Sequence, residues 1–264
     1  MEAQEAFEKS ETVILPVGTL HGHGPTPISV DSSSVEWLAE EIGKRTGIVT
    51  LPLLPYGEND KQKYYPGSIT IGPDTLERLY IDIFRSLRRF GIKKIVVLNG
   101  HGGNRQTLIN AGRAARDFGV LIAMPEWWNV GRQIAPELFP EKGAYMSELA
   151  VSLAIGGKDI ADLRGGGYMG EWGHPYTQRN PLGDDLPPTG GFDTFEYKGG
   201  TIIIPVQSWD TDVEGPPEMG EEVAEELHER GTKILAALVE YLVDFVKKYD
   251  EIDISEALRS VDGF

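Results

Sequence analysis

Through the first half of the chain, short apolar runs bounded by Pro or Gly alternate with stretches whose apolar residues recur every three or four positions. Thr12–Val17 (TVILPV), Ile48–Leu54 (IVTLPLL), Ile95–Leu98 (IVVL) and Val120–Met124 (VLIAM) are of the first kind. Such runs fit strands buried on both faces of a parallel sheet. Three helices are predicted between them. Asp31-Ser-Ser-Ser offers an N-cap for Val35–Arg45, and Asp74 caps Thr75–Phe90, where Leu76, Leu79, Ile83 and Leu87 share a face. Arg105–Phe118 carries Leu108, Ala111 and Ala115 on one side. Strand–helix–strand repetition makes a parallel sheet covered by helices the natural α/β architecture.

Gly156–Gly200 breaks this rhythm. It is rich in Gly and Pro and has little helical period, and its aromatic residues (Tyr168, Trp172, Tyr176, Phe192, Phe195, Tyr197) would be wasted in solvent. An ordered lid or a subunit contact is expected there, at about residues 156–200. Thr201–Val206 (TIIIPV) then reads as another strand, and Pro217–Lys248 as a long amphipathic helix with Val223, Leu227, Ile234, Leu238 and Leu242 on one face. No internal repeat or linker divides the chain, so residues 1–264 read as one domain.

The chain has 264 residues, 40% of them apolar and 25% charged, which is ordinary globular composition. The net charge of −16 disfavours nucleic acid and anionic membrane surfaces, which are gripped by clustered Lys and Arg. Cysteine is absent, which removes disulfides, thiolate metal sites and thiol catalysis. The acidic N-terminus lacks the basic start of a signal peptide, and no apolar run has the length of a membrane helix, so a cytoplasmic protein is expected.

Three of the five histidines sit in two Gly-flanked clusters just after predicted strands. They are Leu20-His21-Gly22-His23-Gly24-Pro25, followed by Asp31, and Asn99-Gly100-His101-Gly102-Gly103-Asn104. Ligands of α/β sheets bind beyond the carboxyl ends of strands. Neutral imidazole and carboxylate are ligands of zinc, manganese or iron, and glycine lets several of them converge. The glycine loop NGHGGN lacks the spacing of a Walker or dinucleotide motif, which sets nucleotide binding aside.

The segments LPVGTLHGHGPTPISVD, LPLLPYGENDKQKYYPGSITI and VVLNGHGGN resemble, in order and spacing, the signature blocks of the creatininase (creatinine amidohydrolase) family. They cover about the first 125 residues. The resemblance implies a three-layer α/β/α fold with a mostly parallel sheet, a metal site that is commonly dinuclear, hydrolase chemistry and a ring-like homo-oligomer, often a hexamer. It makes His23 a metal-binding His, Asp31 the bridging Asp and His101 the His of Asn-Gly-His. His21 stands where the family has Glu, which exchanges a negative ligand for a neutral one. Glu148, in Gly143-Ala-Tyr-Met-Ser-Glu148, takes the place of the family's later carboxylate, with Gly143 where the family has a His often used for proton transfer.

One or two divalent ions, Zn first and Mn or Fe as alternatives, are therefore expected on His21, His23, Asp31, His101 and Glu148. Replacements for the missing acid/base are His174 and Glu171 in EWGHPY, and Glu126 in PEWWN; His228, in EELHER, reads as solvated. Trp127 and Trp128 either sandwich a small ring-shaped substrate or fill a subunit interface, and Lys63 and Tyr65 lie in a loop that approaches the site in the family. The expected reaction is attack of metal-activated water on the carbonyl of a small polar, cyclic amide. The alternatives are C–C opening of an inositol-derived cyclic diketone of the 3-dehydro-scyllo-inosose type, and a non-catalytic metal-binding sensor.

Overall fold

The structure is a computed structural model that describes residues 2–22, 26–65, 67–139, 144–157, 177–178, 185–187, 193–205, 211–212 and 221–258. Along the chain lie α1 (Glu2–Phe7), β1 (Thr12–Val17), α2 (Val30–Thr46), β2 (Val49–Thr50), α3 (Pro73–Arg89), β3 (Lys94–Asn99), α4 (Asn104–Asp117) and β4 (Leu121–Ala123). They are followed by α5 (Trp127–Ile134), α6 (Ala144–Gly156), β5 (Thr177–Gln178), β6 (Thr194–Tyr197), β7 (Gly200–Ile203), β8 (Thr211–Asp212) and α7 (Glu221–Glu251).

Strands β1 to β4 form one parallel sheet in the order β2-β1-β3-β4. Alternate side chains of each strand point to opposite faces, and both faces are covered, which is why β1 and β3 read as unbroken apolar runs. Val13, Leu15, Val17, Ile95 and Val97 pack on Leu76, Tyr80 and Phe84 of α3 and on Leu108, Ala111 and Ala115 of α4. Ile14, Val96 and Leu98 face the other way, against Leu38, Ala39 and Ile42 of α2 and Ile234, Leu238 and Leu242 of α7. The result is the expected three-layer α/β/α fold.

Beyond the strand ends, this order matters more than the helices. The connection after β1 runs outward to β2, and the one after β3 runs the opposite way to β4. The chain therefore reverses direction between β1 and β3, where a crevice opens at their carboxyl ends. Val17 and Asn99 are paired across that gap, so the loops that follow them start side by side.

Local differences from the sequence reading have physical causes. The IVTLPLL run pairs in the sheet only at Val49–Thr50, and Leu54 rejoins through a bridge to Val17. Pro52 has no N–H to give to a ladder. Helix α2 starts at Val30 after Ser29, so Asp31 lies inside its first turn rather than capping it. The TIIIPV run does form a strand, but β7 pairs antiparallel with β6 outside the main sheet, and its residues are exposed. Of the aromatic residues assigned to the lid, Phe195 is buried and Tyr197 is half exposed. Tyr168, Trp172, Tyr176 and Phe192 lie outside the described residues. Among the described residues, no helix is long and apolar enough to cross a membrane.

Leu238 is fully buried where α7 meets the sheet layer. Leu238→Ala is expected to lower unfolding stability by about 2–5 kcal/mol, read by urea denaturation, because the surrounding layer relaxes only partly into the cavity.

Candidate metal centre

His21 lies four residues beyond the end of β1, and His101 two beyond the end of β3. Asp31 reaches the same crevice from the first turn of α2, where the helix dipole favours a carboxylate. His21, Asp31 and His101 are 1%, 3% and 8% exposed, and one ligand atom from each lies within 4.8 Å of the other two. His21 Nε2 stands 3.2 Å from Asp31 Oδ2, and His101 Nδ1 stands 2.7 Å from the same oxygen. The two rings meet edge to face with centroids 4.9 Å apart.

The outer nitrogens decide what the inner ones offer. His21 Nδ1 is 3.0 Å from Gly22 O, and His101 Nε2 is 2.9 Å from Glu58 O. A carbonyl oxygen only accepts, so in the tautomers that satisfy these two contacts Nδ1 of His21 and Nε2 of His101 carry the proton and donate. In the neutral rings, Nε2 of His21 and Nδ1 of His101 then present lone pairs toward a carboxylate oxygen. In those tautomers the three atoms face one another as acceptors, an arrangement that a positive charge among them stabilises. Two imidazole nitrogens and a carboxylate oxygen, each ring anchored by a backbone carbonyl, form a donor set that fits a divalent cation such as Zn²⁺, Mn²⁺ or Fe²⁺.

Two glycines make this approach possible. A Cβ on Gly100 would lie 1.8 Å from Asp31 O, so only glycine lets the loop after β3 pass beneath the start of α2. A Cβ on Gly103 would lie 2.2 Å from Glu58 O and 2.6 Å from His101 Nε2, on top of the bond that fixes the ring. Asn99 and Asn104 complete the frame. Asn99 Oδ1 accepts from His101 N at 3.2 Å, while Asn104 accepts from Glu58 N at 3.0 Å and donates to Gly18 O at 3.1 Å.

The remaining candidates are distributed unevenly. Glu126 is buried at the end of β4, and both of its oxygens are engaged: Arg105 grips it with two nitrogens, Asn99 donates at 3.3 Å and Asn129 at 2.6 Å. That carboxylate in turn raises the pKa of Arg105. Trp127 is buried in the core layer that includes Val151 and Leu238, and Trp128 is partly buried against it, edge to face at 6.2 Å. Tyr65 is buried. Lys63 pairs with Asp60 at 2.9 Å, which pushes its pKa up, and its ammonium lies 5.4 Å from the Tyr64 ring centroid.

Glu148 sits on α6, which packs on α2, but it is outside the group of converging ligand atoms. His23, Gly143, Glu171 and His174 lie outside the described residues. Glu58, Asn59 and Arg105 were not singled out in the sequence. The polar Gly57-Glu-Asn-Asp stretch between apolar runs marks a loop, but nothing in it announces that a backbone carbonyl holds an imidazole.

The chain is 32% identical over 106 residues to a mycofactocin precursor peptide peptidase of Mycolicibacterium smegmatis, covering 38% of this chain and 42% of that one. It is 27% identical over 146 residues to a creatinine amidohydrolase of Pseudomonas putida, covering 49% and 55%. With a 3-dehydro-scyllo-inosose hydrolase of Thermotoga maritima it shares 25% identity over 132 residues, covering 48% and 42%. The match thus spans about half the length of these curated relatives. A solved mutant creatininase complexed with creatine has the same fold, with a TM-score of 0.68 at 22% identity, covering 95% of this chain and 96% of that one. The fold recurs in creatininase structures in Mn and Zn–Zn forms. The family model for Creatininase (creatinine amidohydrolase) matches residues 1–156, which hold β1 to β4, His21, Asp31 and His101, and the chain belongs to that family.

Proposed function

We propose that this chain is a hydrolase that holds a divalent cation on His21, Asp31 and His101 and cleaves a C–N amide bond in a small polar, cyclic substrate. The observation that carries the reading is the convergence of one imidazole nitrogen each from His21 and His101 on a carboxylate oxygen of Asp31, all buried beyond the strand ends. His23 and Glu148 are proposed to complete the ligand set, as the family resemblance implies. A divalent cation held there would lower the pKa of a bound water toward neutrality and would polarise the substrate carbonyl.

The chain's own residues do the rest. Gly22 O and Glu58 O keep protons on the outer imidazole nitrogens, so neither ring turns a donor toward the cation. Asp31, backed by the α2 dipole, supplies the negative charge that His21 does not. In hydrolysis, the oxygen of water adds to the carbonyl carbon, the C–N bond breaks, and the nitrogen leaves with a proton. We assign delivery of that proton to His174 or Glu171. Glu126, with both oxygens held by Arg105, Asn99 and Asn129, serves instead to anchor the loop of His101. Of the tandem tryptophans, Trp128, which is only partly buried, is the one we assign to a flat substrate, since Trp127 is committed to the core.

A second reading is favoured by the relative that acts on 3-dehydro-scyllo-inosose: C–C cleavage of a cyclic diketone, in which the electron pair leaves on carbon as an enolate. The two readings share the site and differ in the leaving atom.

Purified protein is expected to carry stoichiometric metal by elemental analysis and to lose turnover on dialysis against EDTA, with recovery on adding Zn²⁺ or Mn²⁺. Assay against creatinine, other small cyclic amides, a short peptide and the inositol-derived diketone separates the readings. Turnover of the diketone alone overturns the amidase reading, and full metal occupancy with no turnover supports the sensor. His101→Ala is expected to abolish stoichiometric metal and to lower kcat/KM about 100-fold or more; near-normal values of both would remove the proposed centre. Gly103→Ala, which crowds the bond between Glu58 O and His101 Nε2, is expected to retain the native circular dichroism spectrum while metal affinity falls roughly 10- to 100-fold.

A further inference from the structure

One buried side chain next to the ring supports links the loop after β2 to the segment that leads into His21. Asn59 is 1% exposed, in the loop that follows β2. Its Nδ2 donates to Thr19 Oγ1, to Ile69 O at 2.8 Å and to Leu20 O at 3.3 Å. Its backbone N–H donates to Thr70 Oγ1 at 2.9 Å. Leu20 is joined directly to His21. On the other side, Asn59 is joined to Glu58, whose carbonyl accepts from His101 Nε2 and whose N–H donates to Asn104. The amide thus lies one peptide bond from the segment that carries the first ring and one from the carbonyl that anchors the second.

We propose that Asn59 is a positioning residue that fixes the spacing and tautomers of His21 and His101 by stapling the Glu58 carbonyl to the strand-end loop of Leu20. In what it positions the rings for, this rests on the cation-binding reading above. The staple has a directed end. Three oxygens surround Nδ2, and turning the amide over would set Oδ1 against the carbonyls of Leu20 and Ile69. The other end supports the same assignment. Asn59 Oδ1 is buried with no hydrogen-bond partner among the described residues, a desolvation cost that an apolar side chain of the same size would not carry. An amide is worth holding there only for what its donor end secures. The neighbouring backbone contacts, Leu20 with Ile69 and Gly57 with Thr70, close the loop from further along, so Asn59 governs the end nearest the rings.

The test uses the whole chain, wild type and with Asn59→Ala or Asn59→Leu, the second of which keeps the volume and deletes the donors. Long-range ¹H–¹⁵N correlation spectra of the metal-free protein report the imidazole tautomers. In wild type, a proton on Nδ1 of His21 and on Nε2 of His101 is expected, and in both variants the His101 signals are expected to show tautomer exchange. Titration with Co²⁺, followed by its visible d–d bands, is expected to show roughly 10- to 100-fold weaker binding in the variants. Tyr249→Phe removes a hydrogen bond to Leu121 O at the other end of the sheet, and it controls for general loss of stability. Unchanged tautomers with Co²⁺ affinity within about twofold of wild type overturn the assignment, as does an equal change in Tyr249→Phe. A wild-type chain that binds no Co²⁺ overturns the cation reading instead, and the tautomers then decide the role of Asn59. Where neither Asn59 variant folds, Thr19→Val, which deletes one acceptor from the opposite side, gives the same comparison.

Discussion

Two imidazole nitrogens and a carboxylate oxygen brought together away from water favour a positive charge among them, and much of the polar structure around them holds those three atoms in place. His21 Nε2 and His101 Nδ1 both address Asp31 Oδ2 because their other nitrogens are tied to Gly22 O and Glu58 O. Release of either outer bond would let a ring turn or change tautomer, and a lone pair would become a donor. Much of the buried polar content at the strand ends serves this purpose: Asn99 holds the His101 amide, Asn104 holds the Glu58 amide, and Asn59 holds the segment that leads into His21.

The sheet supplies the stage. Because the order β2-β1-β3-β4 reverses direction between its two central strands, the connections that leave β1 and β3 lead to opposite edges of the sheet, the arrangement that leaves room above paired strand ends such as Val17 and Asn99. Helix α2 returns over that room, and Gly100 allows its first turn to lie against the β3 loop. The segments that carry His21, Asp31 and His101 therefore come from three separate stretches of chain, each braced by a strand or helix end rather than by its own conformation. Sites built this way hold their geometry through packing, which is the condition for tight cation binding.

Much of this could be read before the fold was known. The runs of β1, β3 and β4, the face of α4, and the positions of His21, Asp31 and His101 after strands or at a helix start all follow from period, punctuation and glycine spacing, whereas α3 buries Tyr80 and Phe84 between Leu76 and Leu87 and leaves the expected Leu79 exposed, as α7 does Val223. Glu126 was legible as a candidate acid just after a strand end, but its burial and its partner Arg105 were not. Their meeting depends on α4 beginning just where β4 ends, and no sequence period records that. Trp127 and Trp128 look alike in the chain; only the packing of α5 against the core assigns one to the interior and leaves the other partly open. Strand β7 shows the same limit, since apolar alternation marks a strand without naming its neighbour.

By itself, then, the sequence determined which residue types were available and where they fell along each element: apolar runs for a doubly covered sheet, imidazoles and an acid at its exits, and glycines where nothing larger fits. Tertiary structure decided which atoms meet. Tautomers, the shared Asp31 oxygen, the carbonyl of Glu58 and the bracing by Asn59 are properties of distances between segments far apart in the chain. Side-chain identity fixes what a group can donate or accept, and only the packing of one segment on another fixes to whom.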